Sequence, residues 1–462
     1  MKNKHINEVS RQPLTVDYFW QTFQQNHSLK NYVTPLFETT FIVAYSGGCD
    51  SHVLLHILSE LKKQNLIKNV SAVHVNHQLH KESDSWAEHC VSQCKTYNIP
   101  CDVFTVNVNT ESGKGVESAA RTARYAALEN VVHESCFLLA AQHADDQVET
   151  FLLQSLRGSG VKGLAAMPLF KPFSKGLLCR PLLSFSQNDI LEYAHINNLE
   201  WIEDPSNSDT KFDRNYLRKN IMPLLKERWP AINKTLLRVT EHQAEAVNLI
   251  DDLAIIDLDL TGTKNGLLAV TKLNLLSESR RKNVIRYWLH NIKNFSMPNS
   301  VHMNRILTEV LNAPEDATPC VTWDDVIVRR FKNELYVDIN NLHGEKLVNK
   351  TLSWSGGNIL LNNKVKLITE QIVGDGVSVL KLKDKNIEIR FRQGGEVCCP
   401  VGRGPHKHKL KKLLQEWGVP PWLRDSIPLV YADDDLVQVV GFCVCDSFAA
   451  KSNENGFHIY ID

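Results

Sequence analysis

Three clusters in the first third of the chain have residue types and spacings suited to phosphate chemistry. The first is Ser46-Gly47-Gly48-Cys49-Asp50-Ser51. Its glycines let backbone N–H groups close on an anion, and its two hydroxyls add donors. The GxxxxGK[ST] pattern and its lysine are absent, so this cradle is of another type. The second cluster is Glu117-x-x-x-Arg121-x-x-Arg124-Tyr125, where two guanidiniums share a helix face. They suit the oxygens of a triphosphate or of a pyrophosphate leaving group, although a solvated helix face would read the same way. The third is His143-Ala144-Asp145-Asp146-Gln147-Val148-Glu149-Thr150. On a helix starting here, Asp145 can cap the first turn while Asp146, Glu149 and Thr150 fall on one face. Carboxylates so close repel one another unless a cation joins them: Mg²⁺ on phosphates, or a substrate ammonium. An ordinary acidic first turn is the alternative.

These clusters need elements to aim them. Strand patterns are expected at Phe41–Tyr45, Ser71–Asn76, Asp102–Val106 and Cys136–Ala141, and helical patterns near Ser51–Gln64, Glu82–Tyr97 and Glu117–His133. That alternation predicts an α/β fold, a doubly wound and mainly parallel sheet with helices on both faces and ligands at the carboxyl ends of its strands. The loop Ser46–Ser51 follows the first strand, and the acidic cluster follows the fourth. His74 and Asn76 share one strand face, which leaves His77 in a loop at the carboxyl edge, able to meet a nucleotide or to close off strand-end carbonyls.

At 462 residues the chain exceeds one core, and two or three domains are expected. Its 52 basic and 52 acidic side chains cancel, so a nucleic-acid partner would have to be met by a local patch. The 11 cysteines lack regular spacing and any Cys-x-x-Cys, which predicts reduced thiols in a cytoplasm rather than a disulfide framework or structural metal. No apolar run is long enough to span a membrane, and the N-terminus has no signal-peptide core.

Ser-Gly-Gly-x-Asp-Ser after a strand resembles the PP-loop of the ATP pyrophosphatase superfamily, whose fold is that of the adenine nucleotide alpha hydrolases. Further motifs follow in order: His74-Val75-Asn76-His77, Ala120-Arg121-x-x-Arg124-Tyr125, His143-Ala144-Asp145-Asp146-x-x-Glu149-Thr150, Arg157-Gly158-Ser159-Gly160, Arg180-Pro181-Leu182-Leu183, Glu203-Asp204-Pro205-Ser206-Asn207 and Arg214-Asn215-x-x-Arg218. With Arg390-x-Arg392-x-Gly394-Gly395 and Lys409-x-Lys411-Lys412 in the tail, the series resembles the tRNA(Ile)-lysidine synthetase family over nearly the whole chain.

The resemblance implies that ATP adenylates O2 of the wobble cytidine in the CAU-anticodon isoleucine tRNA. The amine of free L-lysine then displaces AMP, and decoding switches from AUG to AUA. It implies ATP contacts at Ser46, Gly47, Gly48, Cys49, Asp50, Ser51 and His77. Cys49 stands where the family often has an aliphatic residue and reads as neutral. Asp50, Asp146 and Arg121 become catalytic, with Mg²⁺ held near Asp50 and Asp146, and lysine is assigned to Asp145, Asp146 and Glu149. The resemblance leaves room for a homodimer, and the sequence gives no oligomeric state.

Arg214 and Arg218 lie one helical turn apart and read as phosphate contacts to ATP or RNA, or as members of a salt-bridged surface helix. Asn207 is a candidate cap for the turn at Asp204-Pro205. In the tail, Arg403, Lys407, Lys409, Lys411 and Lys412 form a basic run without an acid, expected to meet tRNA. Trp417 and Trp422 follow, to stack on bases or, more in keeping with their type, to pack. The expected organisation is a catalytic domain over 1–217, a mostly helical tRNA-contacting domain over 218–345 and a small α+β tRNA-binding domain over 346–462. A PP-loop tRNA thiolase, an amide-forming ligase and a non-catalytic tRNA-binding protein are the alternatives. The missing Cys-x-x-Cys counts against the first, the lack of a glutaminase-like domain against the second, and the intact loop with its carboxylates against the third.

Overall fold

The computed structural model describes residues 12–26, 29, 35–108, 116–205, 209–314, 317–339, 351–361, 365–404 and 406–461; Ser206 and Asn207 lie outside them, as does the side chain of Glu117. The chain divides into two compact units, Met1–Asp251 and Asp252–Asp462.

In the first unit the expected alternation of strand and helix is present. Helix α1 (Val16–Gln24) precedes β1 (Thr40–Ala44), α2 (Cys49–Lys63), β2 (Asn69–Asn76), α3 (Ser83–Thr96), β3 (Cys101–Thr105), α4 (Val116–Glu129) and β4 (Cys136–Leu139). Then come α5 (Ala144–Leu156), the short α6 (Val161–Leu164), the hairpin β5 (Phe170–Phe173) and β6 (Gly176–Cys179), and α7 (Gln187–Ile196). The sheet order is β3-β2-β1-β4-β6-β5. All its pairs are parallel except β5 with β6.

Strand alternation explains why both faces are covered. Phe41, Val43, Phe137 and Leu139 join one core with α1, α2 and α7, whereas Ile42, Cys136 and Leu138 join a second with Leu128 of α4. The order changes direction between β1 and β4, which leaves a crevice at their carboxyl ends, where such sheets bind ligands.

After α7 the chain forms a helix at Asp213–Tyr216, a π-helical turn at Leu217–Ile221 and a helix at Met222–Arg228, followed by the long helix Ile232–Thr261. The π-helical turn widens the ladder at Arg218, and such turns recur at functional sites.

The second unit holds two cores. Helices Glu278–Tyr287 and Ser300–Arg305 pack Val284, Ile285 and Met303 on a four-stranded antiparallel sheet that includes Val326–Phe331 and Glu334–Ile339. The stretch expected to be mostly helical therefore also carries a sheet, whose strands hold the consecutive apolar residues Val326-Ile327-Val328 and Leu335-Tyr336-Val337. In the second core, a five-stranded sheet and a four-stranded sheet pack with helix Leu410–Glu416. Near the end of the chain Asp435–Val439 and Cys443–Val444 are separate strands, since Gly441 turns the chain at φ +80°. No helix among the described residues is long and apolar enough to cross a membrane.

Candidate active site

The loop between β1 and α2 closes on itself. Ser46 and Ser51 meet through their hydroxyl oxygens at 3.0 Å, Ser51 Oγ donates to the Gly48 carbonyl at 3.0 Å, and Ser46 N–H donates to Ser51 Oγ at 3.2 Å. Gly47 adopts φ +87°, and a Cβ there would sit 2.8 Å from Ile202 Cδ1. The loop thus needs glycine for its backbone angle and also for room. Its N–H groups and the start of α2 face the carboxyl edge of the sheet, where an anion is favoured. Cys49 packs against the core under the loop, and burial raises its thiol pKa to about 12.

Asp50 faces the third cluster. His143, 1% exposed, places Nε2 3.7 Å from Asp50 Oδ2 and 3.5 Å from Asp146 Oδ2. The imidazole therefore joins the loop after β1 to the helix after β4. Its Nδ1 is buried without a hydrogen-bond partner. Burial raises the Asp50 pKa, His143 pulls it back, and Asp146 raises it again. The sequence reading assigns His143 no role in the site; its place directly before Ala144-Asp145-Asp146 is the signal that could have found it.

Helix α5 starts one residue before Asp145, and this corrects the expected cap. Asp146 is the third helical residue, and its Oδ2 accepts the His143 backbone N–H at 3.0 Å. Asp145 turns away instead. It accepts the Gln187 N–H at 2.9 Å, Asn233 Nδ2 at 2.6 Å and Lys226 Nζ at 3.2 Å. Burial alone would raise its pKa, yet the Gln187 N–H and Lys226 outweigh it and hold the carboxyl below its usual range.

Two arginines of the chain itself join Asp146 and Glu149. Arg214 Nε donates to Glu149 Oε2 at 2.8 Å; Arg218 Nε donates to Glu149 Oε1 at 2.6 Å and its Nη2 to Asp146 Oδ1 at 3.1 Å. Thr150 Oγ1, on the same face, lies 3.4 Å from Arg214 Nη2. Arg214 and Arg218, expected as phosphate contacts, are members of this ion-pair network, with side chains about one-third exposed at 30% and 35%. Burial works against charge on Arg218, and Glu149, Asp146 and Asp50 overcome it.

The arginines of α4 make a separate set of contacts. Arg124 Nε donates to His77 Nε2 at 3.2 Å, which ties α4 to the loop after β2. His77 Nδ1 is buried and unpartnered, and burial with Arg124 and His74 lowers its pKa to about 4. Arg121 lies over the Tyr125 ring, 5.1 Å from its centroid, and is exposed. Arg180, buried directly after β6, donates Nε to Gln142 Oε1 at 3.1 Å and Nη1 to the Pro168 carbonyl at 2.8 Å. It adds a third guanidinium at the carboxyl edge, at a position that the motif series includes without a role.

Among the described residues no group of three His, Cys, Asp or Glu side chains forms a metal site. Mg²⁺ is usually held by one or two carboxylates plus substrate phosphates. Asp50 and Asp146, both directed at His143 Nε2, fit that arrangement.

The profile of the PP-loop domain matches residues 21–225, that of the TilS substrate binding domain 268–336, and that of the TilS substrate C-terminal domain 387–461. The tRNA(Ile)-lysidine synthase of Coxiella burnetii is 39% identical over 448 residues, covering 96% of this chain and 98% of that protein. The chain belongs to the tRNA(Ile)-lysidine synthase family. The Methylococcus capsulatus member is 39% identical over 87% of this chain and 91% of its own length. Among solved structures, a TilS C-terminal domain is 20% identical over 24% of this chain and 97% of that one, with a TM-score of 0.21. The Methanococcus maripaludis U34-tRNA thiolase NcsA is 17% identical over 52% of this chain and 86% of that one, with a TM-score of 0.41. Family membership at nearly full length does not favour the thiolase or the non-catalytic reading.

The tail residues lie in the second unit. Lys407, Lys409, Lys411 and Lys412 are exposed around His408–Lys409 and the start of Leu410–Glu416. Arg403 is not free: its Nη1 donates to Glu416 Oε2 at 2.6 Å. Both tryptophans pack, Trp417 stacking on Phe442 at 5.2 Å and Trp422 receiving Arg329 at 4.9 Å from its ring centroid.

Proposed function

We propose that this chain ligates L-lysine to C2 of the wobble cytidine of the CAU-anticodon isoleucine tRNA, consuming ATP and releasing AMP and diphosphate. It is a carbon–nitrogen ligase. The observation that carries this reading is the His143 bridge, which brings the phosphate loop and the carboxylate helix into one site. In the first step O2 of the cytidine attacks the α-phosphorus of ATP, diphosphate leaves, and O2 becomes part of a good leaving group. In the second the lysine amine attacks C2, AMP departs with O2, and the amine proton passes to a base.

The residues divide between these steps. Ser46, Gly48 and Ser51 would hold phosphate oxygens, and Arg121, Arg124 and Arg180 would neutralise charge on the leaving diphosphate. Asp50 and Asp146 would hold Mg²⁺, which supplies charge neutralisation at the phosphates when bound. The lysine ammonium would be drawn to Glu149 and Asp146, sharing their oxygens with Arg214 and Arg218. Asp145, committed to Gln187, Lys226 and Asn233, would position the helix start rather than bind substrate. The exposed lysines of the tail would contact tRNA phosphates. All eleven cysteines are free, in keeping with a cytoplasmic setting.

The test is diphosphate release from ATP with the isoleucine tRNA, with and without lysine. Lysidine should form only in the complete mixture. Asp50→Ala should abolish diphosphate release while tRNA binding persists. A wild-type rate in Asp50→Ala would remove the loop from the reaction.

A further inference from the structure

Three cysteines that the reaction does not use converge in the second unit. Cys398 Sγ lies 3.8 Å from Cys443 Sγ, and Cys445 is within hydrogen-bonding reach of Cys398. Cys398 and Cys445 are buried, whereas Cys443 is half-buried and so open to a small oxidant. The backbone explains the convergence. Val397–Cys398 pairs with His408–Lys409, placing Cys398 opposite His408. On its other side Pro400 bridges Cys445, and Val401 N–H donates to the Val444 carbonyl at 3.1 Å. Cys398 therefore sits at the joint between the strand Cys443–Val444 and the hairpin from which Lys407 and Lys409 project.

We propose that Cys398 and Cys443 form a reversible disulfide when the protein meets a peroxide, and that this bond fixes the base of the basic segment and weakens its hold on tRNA. The second half rests on the tail contacting tRNA; the first does not. Cys443 is the most exposed of the three thiols and so the one a peroxide reaches first; the hydrogen bond with Cys398 also lowers its pKa although burial opposes it. It attacks one peroxide oxygen, the O–O bond breaks, water leaves, and Cys443 becomes a sulfenic acid. The Cys398 sulfur then attacks that sulfur and releases a second water. Two thiols lose two electrons and the peroxide gains them. A disulfide requires the sulfurs to close from 3.8 Å to about 2.0 Å. The fixed joint then limits how the lysines follow an irregular phosphate surface.

The full-length chain is treated with stoichiometric hydrogen peroxide, mapped by peptide mass spectrometry and titrated with tRNA in filter binding. A Cys398–Cys443 linked peptide that dithiothreitol reverses is expected, with the half-saturating tRNA concentration raised about threefold and restored on reduction. In Cys443→Ser neither the link nor the peroxide-dependent shift should appear. In Cys398→Ser oxidation should stop at a sulfenic acid on Cys443 that dimedone traps. Both thiols remaining reduced while exposed Cys320 oxidises would overturn the site. A mapped link without any change in tRNA affinity would overturn its coupling to the basic segment. Failure of the tail reading itself would show separately, as lysine substitutions that leave tRNA binding unmoved in reduced protein.

Discussion

Arg218 and Glu149 are joined by two hydrogen bonds, Nε to Oε1 at 2.6 Å and Nη2 to Oε2 at 3.0 Å. This bidentate pair ties α5 to the π-helical turn at Leu217–Ile221. Arg214 takes a second position on Glu149 Oε2. A lysine ammonium reaching Glu149 must share the carboxylate with these guanidiniums or displace one. The site therefore has its electrostatic balance before any substrate enters.

Glu149→Gln keeps the shape and removes the charge. The half-saturating lysine concentration should rise at least about tenfold, equivalent to roughly 1.4 kcal/mol, with ATP dependence little changed. The fold should lose about 1–3 kcal/mol, because two partly exposed arginines lose their shared anion. Steady-state titration of each substrate and urea unfolding check both effects, and an unmoved lysine dependence would relocate the lysine site.

His143 is the contact between Asp50 and Asp146. His143→Ala should slow diphosphate release about 100-fold, since misplacing reacting groups by around an ångström has costs of that order. Affinity for tRNA should be unchanged. Quenched-flow measurement of diphosphate with saturating ATP and tRNA decides it; a rate within about twofold of wild type would leave His143 a purely packing residue.

His52 lies behind the phosphate loop, fully buried, between Tyr45 Oη at 3.3 Å and Tyr97 Oη at 3.0 Å. Burial, with His89 and His56, lowers its pKa to about 4 from the usual 6.5. Between those values the unfolded chain binds the proton and the folded chain does not, so this group's stability is complete above pH 6.5 and is lost as pH falls toward 4. The loss should reach about 2–3 kcal/mol, and His52→Gln should flatten that part of the stability profile. Urea denaturation from about pH 7.5 to about pH 4.5 measures it, and equal slopes in the two proteins would exclude His52 as the titrating group.

Neutralising Lys407, Lys409, Lys411 and Lys412 should weaken tRNA binding and reduce its salt dependence, by roughly 0.7–0.9 in the log–log slope for each phosphate that a lysine no longer neutralises. Arg403→Gln should do less, because Arg403 is already paired with Glu416 at 2.6 Å. Diphosphate release at saturating tRNA should hardly change. Filter binding at several salt concentrations separates the cases, and an unaltered slope in the quadruple variant would assign these lysines to a solvated face.

The parallel sheet and its strand-end loops are legible in the sequence because their signals are local. Short continuous apolar runs mark β1 and β4, as expected of parallel strands covered on both faces, and a glycine-rich stretch directly after β1 punctuates the strand as a loop. Asp50, Asp146 and Glu149 can be picked out for the same reason, since helical spacing alone puts the last two on one face. Within residues 268–339 the strand Leu268–Ala269 is harder to read, as it is only two residues long and pairs with Glu334–Leu335 across a long sequence separation.

What the sequence alone determined was the set of chemical groups, their order along the chain, and the resemblance that names the reaction. What only the tertiary structure decided was how the charges pair. Arg214 and Arg218 lie more than sixty residues from Glu149, and Lys226 and Asn233 more than eighty from Asp145. Sequence spacing constrains neighbours a few residues apart, whereas an ion pair is set by which side chains the packed backbone brings within about 4 Å. For the same reason the sequence could not tell a phosphate-binding arginine from one already held by a carboxylate.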